Sequence, residues 1–426
     1  MSKIKDPSLA SSGLLELGWA KKNMSLLSKI TRDFEKEKPF EGINISVALH
    51  LEKKTGVLLL ALAAGGARVY ASSCNPLTTD DSVAAALSKE GIEVFAWSGQ
   101  TRKEYYSCLN WVLDAKPHII IDDGCDLINL VHFSRKDASS KLLGACEETT
   151  TGVLRLLAMQ KAGKLSIPVF AVNNAYSKFL LDNQFGTAQS TVEAISRATN
   201  KLIAGKTVVV VGYGWCGRGI ASRMKAMGAN VIVVEADVQA EAGPSGAHKA
   251  LLALYEGFRV MPMKQAAKEG DIFITATGNT SVISAPHFSL MKDGAILCNA
   301  GHFDVEIDQE ALHKTSKRIW KVKENITAYQ LKSGKILYLL SEGRLVNLAR
   351  PAGQGHPIEI MDGSFALQAL CCRLLATKKP PPPGVHPVPW QIDTQVARML
   401  LESAGIKLEK LSEKQRKYLQ DFAYGT

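Results

Sequence analysis

Residues 208–219 read "VVVVGYGWCGRG". Four consecutive valines suit a strand covered on both faces, the usual condition of a strand in a parallel sheet. Glycines follow at 212, 214 and 217, and the chain then takes up helical spacing. In a strand–turn–helix unit the first glycine allows a tight turn. The second lets a pyrophosphate approach the backbone, and the third lets helix and strand pack closely. The next strand-like run, "NVIVVE" at 230–235, ends in Glu235, where an acid would bind the adenosine ribose hydroxyls. A carboxylate there repels a 2′-phosphate and so favours NAD over NADP. A glycine turn without a ligand is the alternative reading of Gly212, Gly214 and Gly217.

The same alternation extends in both directions. Downstream lie "DIFITAT" and "GAILCNAG"; upstream lie "INISVAL", "ARVYAS", "IEVFAW", "HIIID" and "IPVFAV", with helical spacing between them. Two α/β domains in tandem follow, each a doubly wound, Rossmann-like parallel sheet, with a helical C-terminal segment beyond the proline run at 380–383. An N-cap at Ser412, with Gln415 three residues on, starts a last helix.

A chain of 426 residues is too long for one core. Its 46% apolar and 22% charged content is that of an ordinary globular protein. The net charge of +10 invites a nucleic-acid reading, but the cations are dispersed and no zinc-finger spacing or arginine-rich arm is present. Gathering anionic small molecules is the better use of such a surface. Eight cysteines without a CxxC pair point to reduced thiols in a cytoplasm. The first residues lack a signal-peptide core, and no apolar run approaches the ~18 residues of a membrane span. No metal-ligand spacing is seen, so no metal is expected.

Polar clusters stand at the ends of the first series of strands: His50, "SSCNPLTTDD" (72–81), "DDGCD" (122–126), "CEETTTG" (146–152) and "AVNNAYSKFLLDN" (171–183). Singly, each reads equally well as a helix cap or a solvated face. Five at consecutive strand ends argue for one large polar site.

These motifs, with "NAGHFDVEID", "GRLVNL" and "GHPIEIMD", resemble the S-adenosylhomocysteine hydrolases over nearly the whole chain. The resemblance implies a homotetramer acting on a small-molecule substrate. It divides the chain into a substrate-binding domain (1–182 and 356–392), an NAD-binding domain (183–355) and a helical oligomerisation segment (393–426). It also implies a redox-neutral cycle. The ribose 3′-hydroxyl is oxidised with NAD, the C4′ hydrogen becomes acidic, homocysteine leaves from C5′, water adds, and the ketone is reduced back. Such a cycle needs a base at O3′, acid–base groups near C4′ and C5′, and donors to the ribose oxygens.

Matched position by position, Lys178 and Asp182 fall on the pair at the ribose hydroxyls, with Glu148 and Asn173 completing their network. Lys178 would handle the 3′-OH proton, which calls for a lowered pKa. His50, Asp123 and His302 fall near C4′ and C5′. Thr149, Thr150, Thr151 and Asn183 would touch NAD from the first domain. Gly212, Gly214, Trp215, Cys216, Gly217, Glu235, Ala300, Gly301 and Asn347 would do so from the second. His356 would close over the base, beside Glu52, Lys54 and Thr55.

Four departures stand out. Asn174 replaces a common aspartate. The stretch after Glu235 is longer than usual and suggests an extra loop by the adenosine end of NAD. The chain stops at "YLQDFAYGT", where many members continue into a tail that holds the neighbour's NAD, so weaker NAD retention is expected. Finally, many members read His-Met-Thr-Val-Glu-Thr where this chain reads His-Leu-Glu-Lys-Lys-Thr, and the acceptor for the adenine 6-amino group becomes Lys54. An ammonium only donates. A 6-oxo base reverses the requirement, so the alternative to S-adenosyl-L-homocysteine as substrate is S-inosyl-L-homocysteine. The competing reading has Lys54 in solvent or paired with Glu52. A catalytically silent regulatory relative and a plain dehydrogenase are the remaining alternatives; the second leaves Lys178, Asp182, His50 and His302 unexplained.

Overall fold

The computed structural model describes residues 2–239 and 243–423. Fifteen strands form two sheets. In the first part of the chain lie β1 (Asn44–Ala48), β2 (Arg68–Ser72), β3 (Glu93–Phe95), β4 (Ile119–Asp122), β5 (Gly144–Glu147) and β6 (Pro168–Ala171). Then come β7 (Thr207–Val211), β8 (Asn230–Val234), β9 (Arg259–Val260), β10 (Ile272–Thr275), β11 (Ile296–Asn299), β12 (Ser316–Lys323), β13 (Ile326–Leu331) and β14 (Ile336–Leu340). The last, β15 (Gly384–Pro387), returns to the first sheet and pairs with β6.

The first sheet has the order β15-β6-β5-β4-β1-β2-β3 and every pairing is parallel. The second has the order β12-β13-β14-β11-β10-β7-β8-β9. It is parallel from β14 to β9, while β12, β13 and β14 form an antiparallel meander at one edge. That edge departs from an all-parallel reading. Its outer strand "SKRIWKVK" is mostly exposed, and lysines on an open edge discourage pairing with another chain.

The four valines of β7 lie inside the second sheet, which explains their uninterrupted apolar run. In each sheet the strand order reverses at one place, beside β1 in the first and beside β7 in the second. Open α/β sheets place ligands beyond the carboxyl ends of strands at such switch points. His50 follows β1 and Gly212 follows β7, so topology alone brings the two sequence signals to the two expected crevices.

Three further elements serve the site. The Ile358–Thr377 helix crosses back into the first domain, almost wholly buried, and carries polar side chains into the core. The Trp390–Ser403 helix packs beside it through Val396 and Met399. Between the domains, Tyr176–Lys178 is a single α-turn that continues as a π-helical segment, Phe179–Gly186. Such wide turns are frequent at functional sites because they re-aim side chains. No helix among the described residues is long and apolar enough to cross a membrane.

Candidate active site

A cavity of about 1190 Å³ opens between the two crevices and takes its walls from both domains. Its centre is a group of buried ionisable side chains. The Lys178 ammonium lies 3.3 Å from Asp182 Oδ1 and 3.4 Å from Glu148 Oε1, and it donates to Asn183 Oδ1 (3.1 Å) and Asn173 Oδ1 (3.4 Å). Asp182 sits one wide turn after Lys178, so both face the same way. Burial alone would lower the lysine's pKa, but Asp182 and Glu148 outweigh it and hold the group above the ordinary lysine value. The expected lowering is therefore not found in this state of the site, because two carboxylates surround one cation.

The Ile358–Thr377 helix supports that trio with residues the sequence did not single out. Ser364 Oγ donates to Asp182 Oδ2 (2.8 Å), and Gln368 Nε2 donates to Glu148 Oε2 (2.5 Å). His356 Nδ1 stands 3.2 Å from Asp182 Oδ1, so this residue joins the carboxylate end of the network. Burial would raise the Asp182 pKa, yet Lys178 and His356 keep it well below the usual carboxylate range. Glu148 is pushed up to about 8, first by burial and then by Asp182 against the lowering effect of Lys178.

His50, Asp123 and His302 form the second group. His50 Nε2 is 3.4 Å from Asp123 Oδ2, and His302 Nδ1 is 3.5 Å from Asp123 Oδ1. One carboxylate thus bridges histidines from two domains. Burial takes the His50 pKa down to about 4 despite Asp123, which keeps the ring neutral at physiological pH. Thr78 Oγ1 and Cys74 Sγ meet its Nδ1 at 2.9 and 3.3 Å. Asp123 precedes Gly124, at φ +102°, and a Cβ on that glycine would come within 2.3 Å of His302 Nε2. The "DDGCD" glycine is there to let the second domain's histidine approach.

Behind both groups, Glu147 is fully buried and accepts from the N–H groups of Gly124 (2.9 Å) and Thr149 (3.0 Å). It ties the loop of Asp123 to the N-terminus of the Thr150–Lys161 helix, whose N-cap position is Thr149. In the sequence Glu147 reads only as half of a repeated acidic pair.

The wall formed by "HLEKKT" is more specific than expected. Glu52 caps the Lys53–Ala64 helix, accepting from Lys54 N–H (3.2 Å) and Thr55 N–H (3.4 Å). Lys54 is only 2% exposed. Its ammonium donates to the Gln354 carbonyl (3.0 Å) and pairs with Glu52 Oε2 at 2.8 Å. Lys54 does not run to solvent; the pairing with Glu52 anticipated as one alternative is present, and both side chains line the cavity. Thr55 Oγ1 donates to the His50 carbonyl (2.6 Å), fixing the turn.

On the other side, Gly212, Gly214 and Glu235 line the cavity with the features a dinucleotide needs, while Gly217 stands behind them against the Gly212 carbonyl. A Cβ on Gly214 would meet nothing within 4 Å, so this glycine faces open space. A Cβ on Gly217 would lie 1.9 Å from the Gly212 carbonyl oxygen, so this one secures helix–strand packing. Glu235 Oε2 accepts from Tyr213 N–H at 2.6 Å, which anchors the carboxylate at the strand end. Asn347 Oδ1 is buried without a partner among the described residues, while its amide donates to Ser190 Oγ (3.2 Å). These residues fit NAD. Thr149, Thr150, Thr151, Asn183, Trp215, Cys216, Ala300, Gly301 and Asn347 line the same cavity; Asn173 stands just behind it, holding Asn183 and Lys178. Pro244, His248 and Lys249 from the long stretch after Glu235 also line it, residues 240–242 of that stretch lying outside the described residues.

Two family models match the chain: "S-adenosyl-L-homocysteine hydrolase" over residues 1–143, and "S-adenosyl-L-homocysteine hydrolase, NAD binding domain" over residues 183–353. Among curated relatives, the S-inosyl-L-homocysteine hydrolase of Methanopyrus kandleri is 54% identical over 99% of this chain and 98% of its own length. The enzyme of the same name from Methanothermobacter thermautotrophicus is 52% identical over 100% and 99%. The adenosylhomocysteinase of Pyrococcus abyssi is 53% identical over 99% and 98%.

Proposed function

The chain belongs to the S-adenosyl-L-homocysteine hydrolase family, and from that premise we propose that it reversibly hydrolyses an S-nucleosyl-L-homocysteine whose base is hypoxanthine, releasing inosine and L-homocysteine. The observation that carries the base is the buried Lys54 ammonium in the cavity wall. Two of its three N–H groups go to Gln354 O and Glu52 Oε2, which leaves one for a ligand. It stands where the family commonly presents an acceptor to the 6-substituent. Hypoxanthine answers this pair with O6 toward Lys54 and N1–H toward Glu52. Adenine, turned so that N1 meets Lys54 and the 6-amino group meets Glu52, is the second reading, favoured by the accepting oxygens of Glu52.

A buried polar mismatch costs about 1–3 kcal/mol, so the inosyl substrate is expected to lead the adenosyl one by about tenfold or more in kcat/KM. Lys54→Ala should collapse that ratio. A clear adenosyl preference, unmoved by Lys54→Ala, would assign adenine instead.

NAD, held by the domain that matches the family's NAD-binding model, would supply transient oxidation and re-reduction at the ribose C3′ carbon, so that turnover would need no second redox substrate. The chain's own groups move the protons. Lys178 takes the 3′-hydroxyl proton as it passes one of its own to Glu148, whose pKa of about 8 lets it hold that proton near neutrality. Asp182, fixed by Ser364 and His356, holds the ribose end and keeps Lys178 in place. Neutral His50, with Asp123 and His302, serves the C4′ and C5′ atoms: it removes the C4′ proton and the triad returns one to the departing sulfur. The substrate is a small molecule. Exposed Leu408, Leu419 and Phe422 in the C-terminal segment support assembly of several copies, for which we propose a homotetramer. Eight unpaired cysteines support a cytoplasmic setting.

A further inference from the structure

The short helix that carries Lys178 has no cap of its own. Its N-cap position is Ala175, which has no polar side chain, and the helix is one α-turn before the π-helical segment begins. Its first N–H groups are nevertheless satisfied. Asp393, 217 positions further on in the chain, accepts from Tyr176 N–H at 2.7 Å through Oδ2. Its Oδ1 accepts from Ser177 N–H, 216 positions away, at 2.9 Å. Ser177 Oγ returns a hydrogen bond to the Asp393 carbonyl (3.0 Å). Asp393 is buried, only 8% exposed, on the Trp390–Ser403 helix.

We propose that Asp393 is a positioning residue for Lys178, by which the Trp390–Ser403 helix sets where the lysine meets the ribose 3′-oxygen. A carboxylate with each oxygen on a separate N–H fixes both the depth and the rotation of the turn that follows. Lys178 comes immediately after the two capped residues, so a tilt of this turn is passed directly to its ammonium. A negative charge at a helix N-terminus also stabilises the start of the turn. The inference rests on the proposed role of Lys178.

The test is Asp393→Asn in the full-length, NAD-loaded protein. The amide keeps the shape but offers one acceptor where two N–H groups need one. A displacement of about 1 Å at a reacting group costs on the order of 10²-fold. Here kcat should fall roughly 10–100-fold, with KM and the NAD dissociation constant within about twofold of the unmodified protein. The pH limb of kcat/KM should also move, because the spacing of Lys178, Glu148 and Asp182 sets their proton affinities. An unchanged kcat overturns the proposal. So does a loss of activity fully accounted for by a lower melting temperature, with the pH limb in place. Lys178→Met, assayed in parallel, separates the two claims. If Lys178→Met is fully active, the role of Lys178 falls and takes this inference with it. If Lys178→Met is inactive while Asp393→Asn is normal, only the role of Asp393 falls.

Discussion

Lys178→Met should lower kcat/KM by about 10²–10⁴-fold, the usual contribution of a positioned acid–base group, while NAD stays bound. The ammonium is enclosed by Glu148, Asp182, Asn173 and Asn183, and no other lysine reaches this network among the described residues. Removing the cation leaves Asp182 and Glu148 buried beside each other, so a fall in melting temperature is also expected. Lys178→Arg separates charge from proton transfer. A guanidinium keeps the ion pairs but does not release its proton, so this variant should be stable yet nearly as inactive. The same network predicts the pH dependence. Glu148 must be unprotonated to receive the relayed proton and its pKa lies at about 8, so kcat/KM should rise with pH through that value. Glu148→Gln should abolish that limb. A flat profile in the unmodified protein would exclude Glu148 from the relay.

The second large effect concerns the two glycines of the opening motif, which should fail in different ways. In Gly217→Ala the new methyl would lie 1.9 Å from the Gly212 carbonyl, a backbone atom that cannot step aside. The strand–turn–helix unit must distort, so both NAD binding and the stability of the second domain should be lost. In Gly214→Ala the methyl meets nothing within 4 Å, and the residue has ordinary extended dihedrals (φ −72°, ψ −171°). The protein without cofactor should melt as before, within about 0.5 kcal/mol. NAD should bind much more weakly, because the methyl occupies the approach of the pyrophosphate. The readout is the rise in melting temperature on adding NAD, which measures binding without any turnover. A normal rise in Gly214→Ala would remove the dinucleotide from this turn.

These effects show what the residues announced and what they concealed. The strands with continuous apolar runs, β4, β7 and β8 among them, are legible because burial on both faces leaves no polar alternation to interpret. β5, "GACE", is not legible as a strand in the sequence: it is short, begins with glycine and ends in a buried carboxylate. The antiparallel meander at β12–β14 is hidden in the sequence because its outer strand is charged and exposed. Within the site, His50, Asp123, Glu148, Lys178, Asp182 and His302 all line one cavity, as their places at strand ends imply. What remained hidden were partners whose meaning depends on long-range contact. Ser364 and Gln368 look like incidental polar residues of an apolar helix, and Asp393 like a first-turn acid. Only folding reveals that they hold Asp182, Glu148 and the Lys178 turn. The charge balance around Lys178 was likewise unreadable, because it depends on distances of 3.3 and 3.4 Å to two carboxylates. Composition could not supply those.

The most direct measurement is homocysteine release from S-inosyl-L-homocysteine by the purified, NAD-loaded protein, with no added oxidant, reductant or further nicotinamide. The account predicts many turnovers per subunit, equimolar inosine, and no net change in nicotinamide absorbance when the reaction ends. Release that stops at one equivalent per bound NAD, or that requires a second redox substrate, would contradict it.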